Sequence, residues 1–296
     1  MEALKSPTVF KAQVLSDPGI KSASVVVKTE PNLEKICLRR EWNNYKIPAI
    51  ASSQYIRGLC DVISPNGEHR AVEADPEADS IYLVFEWMDQ SLRTVPPFAF
   101  RDNADLPKVI SKAVLSALAL LSQLNAVHTV KAGDFGNMLS QGYNKIRAQS
   151  LPTRAPEVWQ GLGCFHSSDV WSFGVTSPIF GAKDKIVETL TEAWCIAKIR
   201  RLVGPIGPPI SNRDYEEEFL IAEYLESSTF EHPDTGLETP FIKVGSLREE
   251  LEKLPGPKIS SELLDFIGFL LVVDHGERPT ASEALQHHYL TSLEAS

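Results

Sequence analysis

The residues with the clearest chemical signature lie in three short segments of the 296-residue chain. DFG stands at residues 134–136, and APE begins 21 residues after Asp134, at 155–157. The third segment, SSDVWSFGV at 167–175, contains the pattern D-x-W-S-x-G. A single tripeptide carries little weight, because short motifs recur by chance. Three such motifs in this order and at these spacings are a specific signal.

These segments resemble the motifs of the eukaryotic protein kinase family. The wording HTVK, SLPTRAPE and QHHYL is most similar to the branch of cyclin-dependent, mitogen-activated and SR-protein kinases. The resemblance covers nearly the whole chain and implies an α+β, bilobal protein-kinase-like fold. It implies a small β-rich N-lobe over residues 1–88 and a larger helical C-lobe over 89–296. The ancestral activity would be ATP-dependent phosphoryl transfer to protein Ser or Thr, with ATP and Mg²⁺ as cofactors.

The resemblance assigns roles to three charged residues. Lys28, which ends VVVK, matches the strand-three lysine that grips the nucleotide phosphates, and Glu41 on the next helix could pair with it. Asp134 matches the metal ligand of the DFG motif. Plainer alternatives remain open, because Lys28 could be a solvated strand lysine. Glu34 competes with Glu41, and either could lie on a solvated helix face.

Further positions follow from the same resemblance. In LVFEWM, Phe85 matches the gatekeeper, and Glu86 to Met88 would offer backbone groups to adenine in the interlobe hinge. Arg278 corresponds to the arginine that pairs with Glu157 of the APE motif. We expect a buried ion pair there, which shapes the lobe and does no chemistry.

The catalytic loop of the family has no complete counterpart. The family writes H-R-D-L-x-x-x-N, or H-T-D-x-K-x-x-N in the branch named above, whereas this chain reads HTVKAG from His128. Only five residues separate His128 from Asp134, where the family needs roughly fifteen more. No Asp or Asn lies in that gap, so the base and the second metal ligand have no candidate. His128 alone is more typical of a packed core histidine than of a base.

The glycine-rich loop that covers the nucleotide phosphates in the family also has no counterpart here. A G-x-G-x-x-G-x-V loop that ends at Val9 would need glycines where the chain has Glu2, Leu4 and Pro7. Without glycines the backbone amides cannot close over phosphates in the same way, and the Glu2 carboxylate would repel them. We therefore expect an N-lobe that is incomplete at its start.

Hydrophobic periodicity agrees with a change from strands to helices near residue 88. The pattern predicts strands at 9–15, 24–29 and 81–87, and helices at 32–45, 106–126, 186–202, 215–225, 260–271 and 281–289. The largely polar stretch 227–245 is predicted to be a surface insertion.

Composition and net charge exclude some classes of binding partner. With 43% hydrophobic and 23% charged residues, the chain is typical of a soluble globular protein. Its net charge of −10 repels nucleic-acid phosphates and anionic lipid, so we predict no nucleic acid and no membrane partner. No signal peptide is evident. The four cysteines are far apart in sequence, which is typical of reduced, mostly buried thiols in an intracellular protein, cytoplasmic or nuclear. The expected partner is a protein substrate or a docking protein.

The chain lacks both the catalytic loop and the glycine-rich loop. We therefore predict a kinase-like domain whose activity is absent or severely impaired. Two alternatives stay open. One is a pseudokinase that serves as a binding or scaffold module. The other is a shortened splice form or gene model of an active kinase, which the abrupt join at 132–133 favours over gradual loss.

Overall fold

The computed structural model describes residues 2–5, 8–15, 22–29, 35–63, 69–70, 81–89, 105–128, 135, 138–175, 178–254 and 258–292. The chain divides into two compact units. The first comprises Met1–Pro96 and Val130–Met138, and the second comprises Pro97–Thr129 and Leu139–Ser296. The first is built on a sheet and the second mainly on helices, so the predicted α+β class is confirmed. The lobe boundary at residue 88 stays a prediction.

Within its described residues, the first unit contains a six-stranded antiparallel sheet of order β1-β2-β3-β6-β4-β5. The strands are β1 (Glu2–Lys5), β2 (Val9–Gln13), β3 (Ser24–Lys28), β4 (Leu59–Ile63), β5 (His69–Arg70) and β6 (Tyr82–Glu86). The valines at 25–27 favour an extended backbone and are buried. In the ladders, Val9 pairs with Lys28 and Val26 pairs with Phe85.

Two helices complete the described part of this unit. Helix α1 (Lys35–Tyr45) buries Leu38, Glu41, Trp42 and Tyr45, whose spacing of three and four residues places them on one face. Helix α2 (Pro48–Ala51) starts with a proline, which suits the first helical position because it has no N–H to satisfy.

The second unit surrounds a core of buried tryptophans and aliphatic residues. Its helices are α3 (Asp105–Gln123), α4 (Pro156–Trp159), α5 (His166–Gly174), α6 (Thr191–Val203), α7 (Arg213–Ser227), α8 (Leu247–Glu252), α9 (Ser261–Leu270), α10 (Ala281–Leu285) and α11 (His288–Thr291). Strands β7 (Ala126–His128) and β8 (Met138–Ser140) form one small sheet, and β9 (Thr229–Glu231) and β10 (Glu238–Pro240) form another. Of the helices that the structure describes, none is long and apolar enough to cross a membrane.

Three sequence predictions differ in detail from the structure. Helix α6 begins at Thr191, five residues later than predicted, because Ile186 and Val187 lie in turns and are 49% and 37% exposed. The predicted last helix, 281–289, is divided into α10 and α11. The His287 side chain begins α11, because it accepts a hydrogen bond from the Tyr289 N–H. The stretch 227–245 contains the β9–β10 hairpin and buries Ile242, so it is only partly a surface insertion.

Candidate functional site

An ion pair joins Lys28 to Glu41 in the first unit. Lys28 ends β3, and Glu41 lies in the middle of α1. The ammonium donates to both carboxylate oxygens, at 2.7 and 3.0 Å, and the two side chains are only 13% and 3% exposed. Charge-assisted hydrogen bonds shielded from water are short and strong. The structure thus brings together Lys28 and Glu41, which the sequence analysis expects to pair. Glu34, the alternative partner, lies outside the described residues.

The side chain of Phe85, the predicted gatekeeper, is fully buried between cations and another aromatic ring. Its ring centroid is 5.1 Å from Lys28 Nζ and 4.8 Å from the Arg57 guanidinium carbon. The Tyr45 ring packs against it with the centroids 5.3 Å apart. An aromatic face attracts a cation by about 0.5–2 kcal/mol, so Phe85 helps to orient the lysine.

Phe135, the middle residue of the DFG segment, contacts the same helix. Its carbonyl accepts a hydrogen bond from Asn44 Nδ2 at 2.8 Å, and its ring meets Tyr45 edge-on at 5.4 Å. Helix α1 therefore contacts both Lys28 and the DFG segment. This one helix therefore fixes the position of Lys28 relative to Phe135.

The other predicted nucleotide contacts lie on strands of the sheet or just after β6. Val9 pairs with Lys28 in the β2–β3 ladder and is partly exposed. The Glu86 carboxylate accepts from the Gly58 N–H at 2.9 Å, and the Glu86 N–H donates to the Gly58 carbonyl at 3.1 Å. Met88 is 57% exposed. The Glu86 side chain is thus bound within the unit, and the backbone role of residues 86–88 toward adenine stays a prediction.

The predicted metal ligand is Asp134, and the remnant of the catalytic loop begins at His128. Asp134 lies outside the described residues, and His128 is described only in its backbone, at the end of β7. Elsewhere, across the residues that are described, no group of three His, Cys, Asp or Glu side chains is arranged to hold a metal ion. The assignment of a metal to Asp134 therefore stays a prediction.

In the second unit, the predicted buried pair of Glu157 and Arg278 is confirmed. Arg278 Nη1 and Nη2 donate to Glu157 Oε1 and Oε2 at 2.8 and 2.9 Å, and both side chains are 0% exposed. Ser168 Oγ also donates to Glu157 Oε1, at 2.5 Å, and Arg278 donates to three backbone carbonyls. Asp169, which is 6% exposed, belongs to the same buried polar region of α5. The pair anchors the APE segment to the chain after α9.

Arg154 fixes the shape of the segment just before APE. Its guanidinium donates to the carbonyls of Arg147, Ala148 and Gln149 at 3.2, 3.1 and 3.2 Å. Burial, and next the nearby Arg147 cation, lower the pKa of this guanidinium from its ordinary value. Gln149 has a φ of 69°, uncommon for a residue with a side chain, and its amide donates to Ser172 Oγ at 2.8 Å. The strained turn is thus held by side chains on both sides.

The cysteines differ from the expectation of mostly buried thiols. None of the four forms a disulfide, but Cys37 and Cys60 are exposed while Cys164 and Cys195 are buried. Burial raises the pKa of Cys164 to about 12 and that of Cys195 to about 11. The two buried thiols therefore stay protonated and unreactive at neutral pH.

Sequence reasoning missed three residues around the site: Asn44, Tyr45 and Arg57. Tyr45 lies four residues after Glu41, so helical spacing could have placed it on the same face of α1. Asn44 and Arg57 had no comparable signal, because their contacts join segments far apart in sequence.

Comparisons with known proteins agree with this architecture. No family model matches the chain. The chain is 27% identical over 165 residues to serine/threonine-protein kinase AFC2 of Arabidopsis thaliana, which covers 54% of this chain and 38% of that protein. It is 22% identical over 276 residues to stress-activated protein kinase JNK of Drosophila melanogaster, covering 85% and 68%. It is 24% identical over 293 residues to cyclin-dependent kinase 12 of Drosophila melanogaster, covering 88% and 23%.

The aligned region spans less than half the length of two of these relatives and about two thirds of the third. An α+β fold with a Lys–Glu pair between a strand and a helix, followed by the DFG and APE segments, defines a protein-kinase-like architecture. The relatives support the protein kinase family for this chain, and within it a serine/threonine protein-kinase-like domain.

Proposed function

We propose that this chain is an intracellular serine/threonine protein-kinase-like domain that binds Mg·ATP through Lys28 and transfers no phosphate at a measurable rate. The observation that carries nucleotide binding is the shielded Lys28–Glu41 pair. Glu41 holds the ammonium in place, and Val9 and Phe85 supply apolar surface next to it. When bound, Mg·ATP would supply the phosphoryl group and the metal charge that balances it.

The residues present fit the nucleotide only in part. Lys28 suits the α- and β-phosphates, and Asp134 suits Mg²⁺ by its motif. In β1, however, Glu2 and Leu4 carry exposed side chains where the family pattern has glycines. Their bulk and the Glu2 charge oppose close contact between backbone amides and phosphates. We therefore expect weaker binding than an intact glycine-rich loop would give.

Loss of transfer follows from the short connection between β7 and β8. Only nine residues separate His128 from Met138, and the sole carboxylate among them is Asp134. That connection has no second carboxylate that could accept the proton of a substrate hydroxyl. Its one asparagine, Asn137, follows DFG, whereas the family's metal-binding asparagine precedes it. General base catalysis alone contributes roughly 10²–10⁴-fold, so at best a residual rate would remain.

Nucleotide binding is tested by thermal shift with Mg·ATP. The wild type is compared with the double variant Lys28→Met/Glu41→Gln, which removes the ion pair without leaving a buried carboxylate unpaired. The control is Lys253→Met, a lysine whose side chain is 64% exposed. A hundredfold excess of ligand over Kd stabilises the wild type by about 2.7 kcal/mol. We expect that shift to be kept in the control and lost in the double variant; no shift in the wild type would contradict nucleotide binding.

Absence of transfer is tested separately, with γ-labelled ATP and a general protein substrate. We expect no label above background. Label transfer that disappears in the Lys28→Met/Glu41→Gln variant would overturn this part of the proposal. A shift with Mg·ATP but no transfer identifies a nucleotide-binding pseudokinase that acts through docked proteins.

A second candidate is a shortened form of an active kinase. The observation in its favour is the abrupt join at residues 132–133, with family-like sequence on both sides. Sequencing the transcript across the codons for residues 128–134 tests it. A longer transcript that adds D-x-K-x-x-N in this place would support the candidate, and a single transcript species without the block would exclude it.

A further inference from the structure

A groove runs beside helix α7 in the second unit. Its volume is about 490 Å³, within the range of ligand-sized pockets. One wall is formed by Ile206, Pro208 and Pro209, and the other by the ridge of Glu216, Leu220 and Glu223 on α7. Neither the Lys28 site nor the buried Glu157–Arg278 pair contributes a residue to it.

The groove exposes apolar surface without an evident structural reason. Leu220 is 68% exposed, and Tyr224, one turn further along α7, is 59% exposed. Phe219, the groove's buried floor, is 7% exposed. A large exposed aliphatic side chain next to an apolar cavity, bordered by charges, is typical of a surface that binds another protein.

The border of the groove is acidic. Glu216 and Glu223 are exposed, and in the part of the chain that the structure describes neither makes an ion pair. Arg200, which lines the groove, is paired with Glu226 at 2.6 Å and does not offset them. Two uncompensated carboxylates seven residues apart on a helix are separated by about 10 Å. They attract a partner that carries cations at a similar spacing.

The walls favour a helix over an added strand. Pro208 and Pro209 have no N–H to donate, and the Pro208 carbonyl already accepts from Gln160 Nε2 at 3.1 Å. The Ile210 N–H donates to the Gln160 carbonyl at 2.9 Å. Backbone pairing with an extended peptide is therefore blocked along this wall. The spacing of Glu216, Leu220 and Glu223 instead forms a ridge against which a second helix can pack.

We propose that this groove docks a short amphipathic helix of a partner protein, with an apolar face bordered by Lys or Arg. A symmetric dimer through this groove is disfavoured, because it would bring the same carboxylates together. Nucleic acid and anionic membranes are repelled by the same charges. The proposal does not depend on nucleotide binding or on phosphoryl transfer at the Lys28 site.

The test uses a fluorescein-labelled, covalently stapled 14-residue helical peptide, with two leucines four residues apart and arginines on either side. A matched peptide replaces every arginine with glutamate. Fluorescence polarisation with the full chain should show saturable binding of the arginine peptide, weakened by salt, and no binding of the glutamate peptide. Equal binding of both peptides, or of neither, would overturn the proposal.

Matched variants locate the binding surface. Leu220→Ser and the double variant Glu216→Gln/Glu223→Gln should each weaken binding about tenfold or more, because central anchors carry most of the affinity. Leu237→Ser and Glu217→Gln are the controls, since Leu237 is 66% exposed and neither residue lines the groove. All substituted positions are exposed, so folding should be unaffected. Equal losses in the controls, or a dimer of the wild type that Leu220→Ser abolishes, would contradict a helical partner as the occupant.

Discussion

Glu157 and Arg278 are the residues at which a single substitution should matter most for stability. Their four interacting atoms form two parallel hydrogen bonds of 2.8 and 2.9 Å in a site without solvent. Such a pair contributes little net free energy, because desolvation offsets the attraction. Its removal is costly for a different reason. The partner that remains keeps a buried charge without the opposite charge that was paired with it.

We predict that Glu157→Gln lowers the free energy of unfolding by about 3–5 kcal/mol, because it leaves the Arg278 guanidinium buried without its paired carboxylate. The control is Asp265→Asn, which removes an ion pair with Arg248 whose side chains are 51% and 55% exposed. That change should alter stability by less than about 1 kcal/mol. Urea denaturation followed by circular dichroism measures both variants. Similar losses in the two variants would argue against burial as the reason.

At the scale of elements, the turn after α4 sets how closely α7 packs on it. Gly161 has a φ of 80°, and a Cβ there would lie 2.7 Å from a ring carbon of Tyr215 on α7. Arg147 joins the same contact, with its guanidinium 3.5 Å from the Tyr215 ring centroid and an ion pair to Glu218. The strained segment before APE and helix α7, which carries the groove, are thus connected by direct contacts.

A pair of glycines separates backbone strain from packing. Gly142 has nearly the same φ, 79°, but a Cβ there would meet nothing within 4 Å. Gly142→Ala should cost only the left-handed backbone penalty, about 1–2 kcal/mol. Gly161→Ala should cost roughly 1–3 kcal/mol more, because the new methyl group clashes with α7. Urea denaturation of the two variants gives the comparison, and equal costs would show that α7 yields freely at this contact.

At the scale of the whole molecule, the missing catalytic loop is expected to reduce stability. The family's loop and hairpin would supply core contacts and backbone hydrogen-bond partners, and the nine residues between His128 and Met138 leave little chain to replace them. We predict a melting temperature below about 45 °C, the lower end of the usual range for mesophilic domains. Calorimetry measures it. A cooperative transition within or above that range would show that the shortened connection is well accommodated.

Much of this protein could be predicted from local sequence. The valine run at 25–27 and the apolar spacing of α1 and α3 depend on neighbouring residues, so the sequence predicts these three elements to within a few positions. It does not predict β1, β4 or α5. The start of α6 was misplaced because the apolar residues Ile186 and Val187 continue the helical pattern but are exposed in turns. Periodicity indicates which residues are apolar and cannot tell which of them reach the core.

The sequence by itself determined the family resemblance and the shortened catalytic loop, because both are written in the order and spacing of residues along one chain. Only the tertiary structure decided that Glu41 lies 2.7 Å from Lys28, that Tyr45 contacts both Phe85 and Phe135, and that Leu220 remains exposed beside a groove. These contacts join residues from separate elements. Their formation depends on how strands and helices pack, and side-chain burial and pairing exist only once that packing is complete.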